Sequence, residues 1–376
     1  MSQKIPEKIQ EVDKKLKQAG FESFLVGGCV RDWLLGAEPK DWDLATNAHP
    51  EEVLRIFPQG KYENKFGTVL VPEKYLSAGK ETDEGIVEIT TYRVESAYQD
   101  GRHPERVLFA KTLKEDLARR DFTINAMALK IGSQKGEFEI VDLFSGREDL
   151  KKRIIRAVGS AEDRFSEDAL RMMRAVRFSA QLGFQIEKNT FLAIQKKAGN
   201  LKKISSERVR DELIKIILSE NPAEGVDNLR KTGLLNSFLP ELSVGFDVKQ
   251  NRHHIFTVYQ HNLLSLKNCP SSKLEVRLAA LLHDVAKPQT KQGAGESATF
   301  YNHELVGARM VRRILNRLKF SRETIEKTVL LVANHMFYYN VDEVTEASVR
   351  RLIAKVGLEN MRDLIDLRIE IGRAHV

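Results

Sequence analysis

Residues 25–47, LVGGCVRDWLLGAEPKDWDLATN, hold side chains that could carry phosphoryl chemistry. Asp41 and Asp43 bracket Trp42. On a strand, alternate side chains share a face, so the two carboxylates project together while Trp42 turns away. Carboxylates held side by side repel unless a cation or a proton relieves them. Mg2+ suits that task, because it accepts carboxylate oxygens while keeping waters and binding substrate phosphates. A two-metal arrangement would activate an attacking hydroxyl and neutralise the charge developing on a transferring phosphoryl group. Gly27 and Gly28 end the preceding apolar run, where the backbone could approach a triphosphate and offer amide hydrogens. Taken singly, a Gly-Gly pair is a turn and a D-x-D a surface strand edge. The order strand, Gly-Gly, Arg31-Asp32, Asp-x-Asp favours nucleotidyl transfer.

Further residues carry chemistry in four places. EDALRMMR (167–174) sets Glu167, Asp168, Arg171 and Arg174 at helical spacing along one face. Solvated salt bridges are one reading. In the other, an arginine fork donates and a carboxylate accepts, so the set can meet both kinds of atom on a base edge. RRDFTINAMA (119–128) puts Arg120, Asp121 and Asn125 around a short apolar turn, where acid and amide can accept from ribose hydroxyls and arginine can meet phosphate. Spacing alone predicts a helix N-cap at Asp121 or Thr123. Glu88 in VEITTY is either a supporting carboxylate or the solvent side of an alternating strand. In the last third, His283-Asp284 closes the apolar helix LAALLHDVAKP, with Lys287 following as a phosphate contact. His261, His303 and His335 recur among apolar helical segments, and with His283 and Asp284 they suit a divalent metal as well as hydrogen-bonded core positions.

The elements that must position these residues follow from periodicity. Residues 5–19 predict an amphipathic helix with Ile5, Ile9, Val12 and Leu16 on one stripe. FESFLVGG predicts a short strand, VRDWLLG a helical turn, KDWDLAT a second strand, and HPEEVLRIF a short helix with proline near its start. FGTVLV, GIVEITTY, RVLFA and FEIVDLF have strand length and pattern, so residues 21–145 predict a mixed sheet with a few helices. Between VEITTY and RRDFT, residues 93–116 are polar, contain Gly101 and Pro104, and predict a mobile loop joining two strands. From about Glu162 to Asn236 the pattern is helical and arginine-rich, and from Arg252 onward it is helical and histidine-rich, with a glycine-rich interruption near 291–298.

At 376 residues the chain exceeds what one core usually serves. Its 42% hydrophobic and 30% charged residues fit a folded protein rather than a disordered one, and a net charge of +7 fits a polyanionic partner. Cys29 and Cys269 lie far apart, which argues against a disulfide framework and for a reducing compartment. The start, MSQKIPEKIQEVDKKLKQ, is too charged for a signal peptide, and no stretch has the length of a membrane span. Cytoplasmic residence without a membrane partner is the expectation.

GGCVRDWLLG followed by DWDL resembles the signature of the class II tRNA nucleotidyltransferase and poly(A) polymerase family, within the polymerase-β-like nucleotidyltransferases. The resemblance continues through RRDFTINAMA, DLFSGREDL (142–150), EDALRMMRAVRFSAQLGF (167–184) and ISSERVRDEL (204–213), over at least the first two thirds of the chain. It implies an α+β fold: a nucleotidyltransferase head with a mixed sheet at 1–150, then an all-helical body. That body comprises a nucleotide- and tRNA-binding neck at 151–240 and an HD-type domain at 241–376. By resemblance Asp41 and Asp43 hold Mg2+, Gly27, Gly28 and Arg31 hold the triphosphate, and Arg120, Asp121 and Asn125 recognise the ribose. Glu167, Asp168 and Arg171 match the family's template for reading CTP or ATP, with Arg174 orienting them or touching triphosphate. Residues 93–116 fall where the family switches from adding C to adding A. The histidine-rich end resembles the HD superfamily of metal-dependent phosphohydrolases. A further carboxylate completes that superfamily's metal set, and Asp342, Glu343 and Glu346 are on offer. The implied function is stepwise addition of CMP and AMP to the acceptor end of tRNA, with release of pyrophosphate. Alternatives within that chemistry are an A-only adder, a CC-only adder or a poly(A) polymerase. An HD phosphohydrolase is the alternative of another class, and a structural HD-type domain that helps hold tRNA is the bland reading of the C-terminal third. Oligomeric state is open.

Overall fold

The computed structural model describes residues 4–63, 67–72, 76, 85–94, 108–132, 134, 136–250, 255–337 and 344–373. The chain divides into two compact units: Met1–Arg171 with Gln185–Ala193, and Met172–Phe184 with Ile194–Val376.

The first unit is built on a seven-stranded mixed sheet. Its leading helix α1 (Glu7–Gln18) buries Ile9, Val12 and Leu16, the predicted stripe. β1 (Ser23–Val26) passes through the Gly27 turn into α2 (Gly28–Leu34). Then come β2 (Asp43–Thr46), α3 (Pro50–Ile56), β3 (Lys61–Glu63), β4 (Thr68–Pro72) and β5 (Ile86–Thr91). A short hairpin, β6 (Arg93–Val94) with β7 (Leu108–Phe109), leads into α4 (Leu113–Ala118). After a 3-10 turn over Thr123–Asn125, β8 (Met127–Ile131) and β9 (Phe138–Asp142) complete the sheet. The strand order is β3-β4-β5-β2-β1-β8-β9. Within this sheet, among the described residues, only the β2–β5 pair is parallel, and its register sets Asp43 opposite Glu88. Val26, Ala45, Tyr92, Leu117 and Ala128 form a buried cluster that ties α4 to the strands beneath the site. The unit continues through α5 (Gly146–Lys152), β10 (Ile154–Ile155) and α6 (Ala161–Glu167).

The second unit is helical. α7 (Leu170–Leu182) is followed by β11 (Gln185–Ile186), which pairs with β10 inside the first unit, and by α8 (Lys188–Lys197). Then follow α9 (Ser206–Ile217), α10 (Pro222–Lys231), α11 (Pro240–Val244), α12 (Val258–Asn268), α13 (Leu274–Leu282), α14 (Lys287–Thr290), α15 (His303–Arg317), α16 (Arg322–Asn334), α17 (Glu346–Val356) and α18 (Leu358–Arg373). α13 is apolar nearly all round because it is the central helix, packed by α12, α16 and α18. The α+β class is as expected: a mixed-sheet head and a helical body. Among the described residues no helix is long and apolar enough to cross a membrane. Both cysteines are buried and unbridged.

Four local expectations change. β2 begins at Asp43, so Asp41 sits in the bend before the strand rather than on it. Glu167 ends α6 and Asp168 is its extended C-cap, so the EDALR stretch is a break between two helices and not one continuous face. Neither Asp121 nor Thr123 caps a helix: the 3-10 turn starts after Phe122, and Asp121 Oδ1 instead accepts the Phe122 amide. The far end of 93–116 is helical, because Thr112 and Glu115 form a capping box that starts α4. Residues 95–107 of that stretch, and Asp342 and Glu343, lie outside the described residues.

Candidate active site and histidine cluster

The first cluster forms around the turn between β1 and α2. Gly27 has φ +80°, a left-handed backbone that L side chains rarely adopt. A Cβ there would lie 3.0 Å from Arg120 Nη1 and 3.8 Å from Asp43 Oδ2, so a guanidinium and a carboxylate close over the bare backbone. At Gly28 the added carbon would meet only Arg31 Nη2, at 3.7 Å. Asp43 stands at the head of β2 beside Glu88 of β5. Burial raises the Asp43 pKa; Arg120 opposes the rise and Asp41 adds to it. Burial also raises Glu88, and Asp43, Glu63 and Asp41 push it further. Four carboxylates therefore act on one another here, which is the electrostatic condition a cation relieves. Glu88 is exposed on the alternating face of β5, as the solvent-side reading expects, and it still feels all three of the others.

A second layer orients the arginines. Arg31 Nε donates to Asp32 Oδ1 (2.8 Å), and Arg31 Nη1 to Asn125 Oδ1 (2.9 Å). Asn125 Nδ2 donates in turn to Asp121 Oδ1 at 3.3 Å, so the amide bridges arginine and carboxylate. Asp121 and Asn125 are both buried. Arg120 Nη2 donates to Asp116 Oδ2 (3.0 Å), while Arg119 grips Asp116 Oδ1 through Nε (3.0 Å) and Nη2 (2.7 Å). At the helix break, Arg171 Nη1 donates to Glu167 Oε2 (2.7 Å) and Arg171 Nη2 to the Arg119 carbonyl (3.2 Å). Asp168 Oδ1 accepts the Leu170 amide at 2.9 Å and so starts α7. Arg174 lies in the second unit, with its guanidinium 5.5 Å from the Phe178 ring centre. The first unit thus brings together Gly27, Gly28, Arg31, Asp41, Asp43, Arg120, Asp121 and Asn125, and ties Arg171 with Glu167 to the neighbouring Arg119. Sequence reasoning missed Asp116, Arg119 and Asp32 as partners. The i, i+3 and i, i+4 spacing of Asp116 to Arg119 and Arg120 was the available signal.

The second cluster lies inside the helical unit. His261 comes from mid-α12, His283 caps the end of α13, Asp284 follows it, His303 opens α15, and His335 caps the end of α16. All five are buried. His283 Nδ1 is 3.0 Å from the Ala280 carbonyl, His303 Nδ1 2.8 Å from Phe300 O, and His335 Nδ1 2.7 Å from Val332 O. A proton on each Nδ1 turns an Nε2 lone pair inward, where Nε2 of His283 lies 3.1 Å from that of His261 and Nε2 of His303 lies 3.3 Å from that of His335. Asp284 Oδ2 lies 3.3 Å from His283 Nε2 and 3.6 Å from His261 Nε2; Oδ1 lies 3.2 Å from His303 Nε2 and 3.9 Å from His335 Nε2. The donors thus split into two sets, His261–His283–Asp284 and Asp284–His303–His335, which share one carboxylate. Burial holds His335 well below the usual histidine value, with His283 adding to the effect, so the ring is neutral. Burial would push Asp284 up, but His283 and Lys287 outweigh it and keep the carboxylate ionised. The donor chemistry fits divalent cations. Lys287 is a different matter from its sequence reading: it is buried, 2.7 Å from both Asp284 Oδ2 and Gln250 Oε1, and so engaged inside the protein. Glu346 opens α17 on the surface and pairs with Arg350.

Comparison with known proteins places these sites in context. Residues 23–156 match the poly A polymerase head domain, 183–245 the probable RNA and SrmB-binding site of polymerase A, and 253–367 the HD domain. The crystal structure of the Bacillus stearothermophilus CCA-adding enzyme in complex with CTP superposes with a TM-score of 0.72 at 30% identity, over 99% of this chain and 81% of that one. The chain belongs to the class II tRNA nucleotidyltransferase and poly(A) polymerase family. Among curated members, the CCA-adding enzyme of Ligilactobacillus salivarius is 48% identical over 223 residues, 59% of this chain and 52% of its own length. That of Lactobacillus delbrueckii subsp. bulgaricus is 50% identical over 222 residues, 59% of this chain and 52% of its own. The match spans about half the length of these relatives. Family membership supports the expected nucleotidyltransferase head and HD-domain character. It does not reach two other expected attributes, which are corrected on chemical grounds. Magnesium as the particular ion is withdrawn, since a hard oxygen cluster accepts several divalent cations and the histidine set favours softer ones. Cytoplasmic residence is withdrawn as well, since two buried free thiols carry no address.

Proposed function

We propose that this chain adds nucleotides from CTP and ATP, without a nucleic-acid template, to the 3′ end of tRNA, placing CMP and then AMP and releasing pyrophosphate. The observation that carries the reading is the closure of Arg120 and Asp43 over the left-handed Gly27 turn, with Asp41 and Glu88 adjoining. Asp41 and Asp43, at the head of β2 in that carboxylate cluster, would hold a divalent cation. When bound, such an ion lowers the pKa of an attacking ribose hydroxyl and offsets charge on the transferring phosphoryl group. The chain supplies the rest. Backbone amides at Gly27 and Gly28 and the guanidiniums of Arg31 and Arg120 orient the triphosphate for in-line attack. Asn125 and Asp121 offer acceptors to a ribose hydroxyl. Arg171 and Asp168 present a donor fork and an acceptor to the base edge, which is what template-free selection of C and A requires. Exposed Lys202 and Lys203 in the second unit offer phosphate contacts that position the acceptor end without reading its sequence.

Asp43→Asn tests the reading. Burial penalises the charged form of this carboxylate, so the amide leaves thermal stability unchanged or raised while nucleotide incorporation into tRNA is abolished. Incorporation at the wild-type rate would refute the assignment. A-only, CC-only and poly(A) addition use the same chemistry and differ in which tRNA end accepts which nucleotide.

The split donor set around Asp284 favours a second activity, metal-dependent hydrolysis of phosphate esters by the helical unit. Its test is release of phosphate from a generic aryl phosphate, lost in His283→Ala and retained in Asp43→Asn.

A further inference from the structure

We infer that Asp116 is a positioning residue that sets the triphosphate-facing Arg120 and the base-facing Arg171 in register; the inference rests on the reading of the nucleotidyl-transfer site above. Asp116 is completely buried in α4, and each of its oxygens holds a different arm of the site. Oδ2 takes Arg120 Nη2 at 3.0 Å, leaving Nη1 of the same guanidinium against the Gly27 turn. Oδ1 takes Arg119 Nε and Nη2, and also the Arg93 amide at 3.3 Å, at the root of the β6–β7 hairpin. Arg119, fixed in this way, turns its carbonyl to Arg171 Nη2. Next to Asp116, Leu117 is buried with Val26, Ala45 and Ala128 from β1, β2 and β8, so the carboxylate is anchored on the strands that carry Asp43 and the glycine turn.

A neutral hydrogen-bonding residue would not do the same work. Arg119 and Arg120 are adjacent cations, both largely buried, and the carboxylate between them offsets their repulsion. Without that charge, Arg120 is left with Asp43, whose field it already feels, as its other anionic partner. An Arg120–Asp43 pair would compete with a cation for the catalytic carboxylate and draw the guanidinium away from the triphosphate. A carboxylate that only stabilised the fold would leave cation affinity untouched.

The experiment compares the full-length wild type with Asp116→Asn, Arg120→Ala and the double variant in tRNA incorporation, titrating Mn2+ and ATP. Asp13→Asn, a buried carboxylate of α1 paired with Lys17, serves as the stability control. Asp116→Asn is expected to raise the KM for ATP and the half-saturating Mn2+ concentration by about tenfold or more, the range for residues that orient a metal site's ligands. Asp13→Asn should leave both within about twofold. Because Asp116 acts through Arg120, the effects of the two substitutions on KM will be strongly non-additive. A lower melting temperature in Asp116→Asn with unchanged KM and Mn2+ dependence overturns the inference, as do additive effects. If Asp116→Asn does not fold, Asp116→Glu, which keeps the charge and displaces the oxygens by one methylene, carries the same comparison. An inactive wild type would instead sink the reading of the site itself.

Discussion

At Gly27 a single hydrogen atom in place of a side chain allows two opposite charges to meet over the backbone. Gly27→Ala must hold a left-handed φ of +80° and push back Arg120 Nη1 from 3.0 Å. With ψ at −135° the backbone also lies outside the left-handed helical well, and the backbone penalty alone is about 1–3 kcal/mol. We expect a melting temperature lowered by a few degrees together with a much larger loss of incorporation, because the displaced group belongs to the site. Equal percentage losses in stability and rate would point to a merely structural turn. At the base edge, Arg171→Ala should erode the preference for CTP and ATP over GTP and UTP by about 1–3 kcal/mol, the worth of one well-formed arginine contact to a base. Competition between labelled nucleotides measures it. The Asp41–Asp43 pair and the His-Asp dipeptide were legible in the sequence because their residue types and short spacing are themselves the signal. Glu88 was ambiguous there, since only the parallel register of β2 with β5 sets it against Asp43. Asp116 went unnoticed because it acts through neighbours rather than on any substrate atom.

Among the elements, α4 and the α6–α7 break depart most from the sequence reading, and both sit beside the site. Gly101, Pro104 and dense charge suggested a loop through residue 116, yet a capping box at Thr112 and a buried Leu117 are enough to start a six-residue helix. Burial would raise the Asp116 pKa, but Arg120 and Arg119 outweigh it, so its value lies below the ordinary 3.8. A depressed carboxylate contributes stability that is fully present above 3.8 and is lost as pH falls toward the lowered value. The melting difference between wild type and Asp116→Asn should therefore be constant from pH 6 to 8 and shrink below about pH 4. A difference independent of pH would mean that charge is not what Asp116 contributes. Helical spacing made EDALRMMR look like one face, whereas Asp168 is extended and caps α7. Asp168→Ala should cost about 1 kcal/mol as a lost cap in addition to impaired base choice. Asp168→Asn retains the cap and shows the base effect alone. Short polar breaks of this kind are hard to see in a sequence because the helical period resumes in phase on either side.

For the whole molecule, the α+β class and the succession of a mixed-sheet head by a helical body follow from the change of period along the chain, from two to 3.6. The convergence of His261, His283, His303 and His335 on one carboxylate does not, because it depends on how four helices pack. Two donor sets sharing a buried Asp284 predict that divalent cations stabilise the helical unit. At a hundredfold excess over the dissociation constant the gain is about 2.7 kcal/mol, and chelator should reverse it. A shift that persists in Asp284→Asn would place the cation elsewhere. The central claim concerns the head, and one measurement reaches it directly: incorporation of labelled CTP and ATP, separately and together, into tRNA ending just before CCA and just after CC. The account predicts that the shorter tRNA takes C from CTP alone and gains A only when both nucleotides are present, while the CC-ended tRNA takes A directly. Incorporation of neither nucleotide into either tRNA by the folded protein would contradict it, and addition of ATP to the CC-ended tRNA alone would restrict this chain to the final adenosine.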